Sequence, residues 1–141
     1  MPHLLWTMCC AEPIVDQRNN ILSLIHIVEE VTVRAPGAVA GDLIHVVTLW
    51  QKQSLESGEP EDFRYRIRFL SPSGETLSAS PEMNASIPQE RLRAMVAIQG
   101  LPLRQSGNHH WVIEVEEDGK WPEKGRLPLM VKIQPLPPVQ A

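Results

Sequence analysis

Residues 62–70 read DFRYRIRFL, in which four apolar side chains alternate without a break with three arginines. In an extended chain Phe63, Tyr65, Ile67 and Phe69 fall on one side, and Arg64, Arg66 and Arg68 on the other. Strict period two suits a strand in a sheet with one dry and one wet face. A dry sheet face needs a second layer to cover it. Thirteen prolines and eight glycines are spread along the 141 residues. They interrupt every stretch long enough for an ordinary helix, apart from one ambiguous stretch at 86–99.

The remaining segments fit the same plan. LLWTMCCA (4–11) reads as a strand apolar on both faces, followed by the polar turn DQRNN (16–20). ILSLIHIVEEVTV (21–33) is rich in β-branched residues and too long for one simple strand, which predicts a bend near Glu29-Glu30. Residues 35–42 read as a loop. LIHVVTLWQ (43–51) reads as a central strand, 52–62 as an exposed loop and SPSGE (71–75) as a turn. A short extended piece, TLSAS (76–80), follows. In the ambiguous stretch, Ser86 and Gln89 have capping-box spacing, with Pro88 in the first turn. Leu92, Ala94, Val96 and Ile98 alternate as in a strand. The expectation is one helical turn at most, then a strand from about Arg93.

Residues 100–108 read as a loop and HHWVIEVEE (109–117) as a strand, with Asp118-Gly119 as a hairpin turn. RLPLMVKI (126–133) returns, with Leu127, Leu129, Val131 and Ile133 on one face. Turn signals recur roughly every 8–12 residues, the spacing of an antiparallel sandwich. The predicted fold is all-β: an antiparallel β-sandwich of about 7–9 strands, immunoglobulin-like or C2-like in outline. One domain covers 1–134, and a proline-rich tail covers 135–141.

The chemistry-bearing residues are scattered by this geometry. His109 shares a strand face with Trp111, Ile113 and Val115, while His110 shares the other with Val112, Glu114 and Glu116. The two rings therefore point apart and cannot hold one ion. His26 and His45 would face each other only if 21–33 and 43–51 paired about the Ala35-Pro36 bond. Cys9 and Cys10 are neighbours pointing to opposite faces, and they read as buried, reduced and structural. Cys10 with a distant histidine could form a nucleophile pair, yet no nearby cation would activate it. The chain holds no glycine-rich phosphate loop, nucleophile elbow, H-E-x-x-H or C-x-x-C motif.

Net charge is −4, against the basic excess a nucleic-acid binder shows. No run is long enough to cross a membrane as a helix, and MPHLLWTMCC lacks the marks of a signal peptide, so cytoplasmic residence is expected. Arg64, Arg66 and Arg68 form a positive stripe that could meet an anionic partner or pair with acidic strands such as the one carrying Glu114 and Glu116. Trp6, Trp50 and Trp111 read as core, leaving Trp121 as the exposed aromatic.

Three phrases carry a family likeness: VDQRNNILSLIHI (15–27), FLSPSGE (69–75) and GLPLRQSGNHHWVIEVEEDG (100–119). Their order resembles that of a family of small bacterial β-sandwich proteins of unknown function. The resemblance implies the sandwich fold and no particular activity. Where the family's closing unit tends to carry Tyr and Phe, this chain has His109 and Trp111. A tyrosine there often anchors on backbone at a sheet corner, and a histidine can make a similar bond.

The expected function is a non-catalytic interaction module that binds a protein partner or its own copy, with no cofactor. Arg64, Arg66, Arg68 and Trp121 are the candidate contact surface. The alternatives are a metal-dependent binder or hydrolase using histidine and carboxylate side chains, and a small-ligand or glycan binder using Trp121.

Overall fold

Two β-sheets face each other in the computed structural model, which describes residues 1–40 and 43–135, with backbone alone at 38–40. The strands are, in order, β1 (His3–Asp16), β2 (Ile21–Ile27), β3 (Glu30–Val33) and β4 (Ala38–Ala40). Next come β5 (Ile44–Gln51), β6 (Glu61–Leu70), β7 (Thr76–Ala79) and β8 (Met83–Ile87). Last are β9 (Arg91–Ile98), β10 (Leu101–Leu103), β11 (Gly107–Val115) and β12 (Glu123–Ile133). The tail expected over 135–141 lies, apart from Pro135, outside the described residues, as do positions 41–42 of the loop expected at 35–42.

The first sheet has the order β2-β1-β5-β9 and is antiparallel throughout. The second has the order β3-β12-β11-β6-β7, and β8 shares the far edge of β6 with β7. A ribbon of β4 and β10 stands apart. The fold is thus an all-β sandwich, with one departure from antiparallel pairing. β3 runs parallel to β12, with Met130 opposite Glu30 and Ile133 opposite Val33. The bend read at Glu29-Glu30 is where the chain leaves the first sheet and joins the second.

Period two decides the core. Phe63, Tyr65, Ile67 and Phe69 all point inward and are buried. From the facing sheet Trp50 enters between Phe63 and Tyr65, with ring centroids 4.8 and 5.5 Å away. Its indole Nε1 donates to Thr48 Oγ1 at 2.8 Å, so the ring is buried without an orphaned donor. Phe69 packs on Trp111 at 4.6 Å. Leu129 and Val131 are fully buried, with Leu127 and Ile133 packed beside them, as their alternation predicts.

Two local expectations change. No helix occurs among the described residues, and Ser86 lies in β8 opposite Asp62 instead of capping a turn. β9 starts at Arg91, two residues early. A single helical turn is costly to nucleate, whereas the strand packs Leu92, Ala94, Val96 and Ile98 against the core. β4, β8 and β10, of three to five residues each, lie where the sequence suggests loop or gives no signal, and they take the strand count above nine.

Candidate functional site

The arginine stripe lies on the outer face of the second sheet. β11 runs beside β6 with Glu114 opposite Arg66 and Val112 opposite Arg68. Glu114 accepts from Arg66 Nε at 2.7 Å, from Arg68 Nε at 2.8 Å and from Arg68 Nη2 at 2.8 Å. Its side chain is only 6% exposed. Burial alone would raise its pKa, but hydrogen bonds and charge from Arg68 and Arg66 outweigh this and hold the carboxyl below its ordinary value. Arg64 pairs with Glu82. The Trp121 ring lies 4.4 Å from the Arg66 guanidinium and 5.8 Å from that of Arg64. The structure therefore brings Arg64, Arg66, Arg68 and Trp121 into one cluster. Each of its guanidiniums has a carboxylate partner, and the indole is engaged by two of them.

The histidines are placed apart. His109 is fully buried on the core side of β11, stacked on Phe69 at 5.3 Å, while His110 faces the other way and is half-buried. His109 Nδ1 lies 3.0 Å from the Gly107 carbonyl oxygen, so this nitrogen carries the hydrogen and anchors the ring on backbone. β1 lies between β2 and β5, so His26 and His45 do not pair as a hairpin would require. His45 Nδ1 instead lies 3.0 Å from the Ala11 carbonyl oxygen. Among the described residues no three His, Cys, Asp or Glu side chains come together as a metal site.

Cys9 and Cys10 are both free and buried. Burial, and then the neighbouring Cys10, push the Cys9 thiol up to about 12. Burial also raises Cys10 above its ordinary value. Cys10 and His45 are cross-strand partners, yet burial keeps the thiol protonated and a weak nucleophile.

The first sheet's outer face has a different character. Trp6 and Met8 on β1, Leu49 on β5 and Met95 on β9 lie there, all partly exposed. The β1–β2 hairpin bends across them. Its turn reaches over β5 to β9, where Arg93 Nη1 donates to Asn20 Oδ1 at 3.2 Å and Nη2 to the Asn20 carbonyl at 2.5 Å. Between hairpin and sheet lies a groove of about 810 Å³, roofed by Val15, Leu22 and Leu24 and bordered by Arg91 and Arg93. Among the described residues no carboxylate lines it. The opposite hairpin face carries Ile14, Ile21 and Ile25, and Ile27 follows. Ile21 is 59% exposed, Ile27 49% and Ile14 45%. The outer edge of β2 has no strand partner among the described residues.

The sequence reading missed this region, although one signal was present. In ILSLIHI both strand faces are apolar, which an edge strand over a single core does not need. Fold and site together define an all-β sandwich with one charge-matched face and one apolar face under a hairpin. No protein-family model matches the chain, and no curated protein matches its sequence significantly. No helix among the described residues is long and apolar enough to cross a membrane.

Proposed function

We propose that this protein is a non-catalytic interaction module whose contact is the β1–β2 hairpin and whose first partner is a second copy of itself. One observation carries the reading: Ile14, Ile21, Ile25 and Ile27 stand exposed on a hairpin whose outer edge has no strand partner among the described residues. An isoleucine gains roughly 1.5–3 kcal/mol when fully buried, and an open β-edge offers backbone hydrogen bonds to an extended partner. The arginine cluster is the weaker contact, because Glu114 and Glu82 already satisfy its charges. Two free, buried thiols accord with a reducing compartment such as the cytoplasm. Membership of the bacterial family that the three sequence phrases resemble is part of the same proposal.

Sedimentation velocity over a concentration series tests it. The expected result is a monomer–dimer equilibrium that Ile25→Lys shifts to monomer without loss of the far-ultraviolet β signal. Protein that stays monomeric throughout and captures nothing from a cell extract overturns the reading.

A further inference from the structure

We propose that the groove beneath the hairpin binds a single-chain amphiphile with a carboxylate head, of the fatty-acid type. The site is distinct from the exposed isoleucine face and lies on the other side of the same hairpin. Its volume of about 810 Å³ falls within the range of small-molecule sites, roughly 300–1,000 Å³. Trp6, Met8, Leu22, Leu24, Leu49 and Met95 supply an apolar lining from three strands and the roof. Two of these are methionines, whose flexible thioethers adapt to a chain of variable shape.

The head group follows from charge. Arg91 and Arg93 are the only charged residues lining the groove among the described residues. Arg93 is held by Asn20 and fixes the turn over the sheet. Arg91 is exposed, and its side chain makes no ion pair or hydrogen bond among the described residues. A guanidinium fork matches a carboxylate with two parallel hydrogen bonds. An aliphatic tail in the groove with its carboxylate on Arg91 would satisfy both features.

Titration calorimetry with monomeric laurate, dodecanol and butyrate tests the assignment, with tryptophan emission as a second readout. Laurate should bind with about one molecule per chain and shift the emission, and Trp6→Phe should remove that shift. Butyrate, which has the head without the tail, should not bind. Dodecanol should bind at least ~tenfold more weakly, because its neutral hydroxyl forgoes the charge-assisted pair of hydrogen bonds to Arg91. Arg91→Gln should bring laurate down to the dodecanol level and leave dodecanol unchanged. Met95→Gln, on an exposed position, should weaken both ligands while the urea midpoint stays near that of the parent. Absence of laurate binding, or laurate binding unaffected by both Arg91→Gln and Met95→Gln, overturns the proposal. Retention of laurate binding in Ile25→Lys separates this groove from the self-association surface.

Discussion

Glu114 shows how a charge can be buried in this fold. Its carboxylate receives three hydrogen bonds from Arg66 and Arg68, whose side chains stay 28 and 30% exposed. Removing it leaves two neighbouring guanidiniums uncompensated. Glu114→Gln should cost about 2 kcal/mol in urea unfolding, below the ~3–5 kcal/mol of a fully buried pair because water still reaches the arginines. The pH dependence has a definite sign. The folded pKa lies below the ordinary 4.5, so the stabilisation is complete above that value and is lost as pH falls through the lowered one. The variant should therefore show a flatter acid limb in midpoint against pH; an unchanged limb would remove Glu114 as its source. The cysteines give a second test at this scale. With Cys9 pushed up to about 12 by burial and Cys10 also raised, neither thiol should react with Ellman's reagent in the native protein at pH 8. Both should react in urea, and rapid native labelling would refute their burial.

At the level of elements, local chemistry was legible and distant pairing was not. Asp118-Gly119 predicts a tight hairpin turn, and both residues take positive φ, 52° and 79°, as a type I′ turn requires. The alternation in β6 was equally plain, since four inward side chains follow from spacing alone. By contrast, β4 is three residues long and finds its partner in β10, with Ala38 opposite Leu103. Nothing within three residues announces a mate so far along the chain. Gly107 is another tertiary requirement: its φ is 129°, and an added Cβ would lie 3.0 Å from Pro72 Cγ. Gly107→Ala should cost about 2 kcal/mol through strain and crowding together. Gly119→Ala, with open space around it, should cost only about 1 kcal/mol. Thermal melts of the pair check the order, and equal losses would show that the contact with Pro72 yields freely.

Across the whole molecule, the two outer faces divide polarity between them. The second sheet balances its charges within itself, while the first exposes isoleucine and methionine. The fold class was readable because period two and closely spaced turns leave little besides a sandwich. The candidate contact surface was readable only in part. Arg64, Arg66, Arg68 and Trp121 do gather, but whether their charges are already answered depends on which strand lies beside β6. The hairpin's path over the sheet was hidden for the same reason, since register and curvature arise between strands and not along them. The parallel clasp between β3 and β12 has a consequence for assembly. Arg34, just past β3, meets Gln134, a hundred positions further on. Loop closure of that length must precede any reward from the contact, which places this chain among slow-folding topologies. Until the clasp forms, a nascent chain carries its oily hairpin beside an unfinished sheet, and the interval before closure is when chaperone protection matters most.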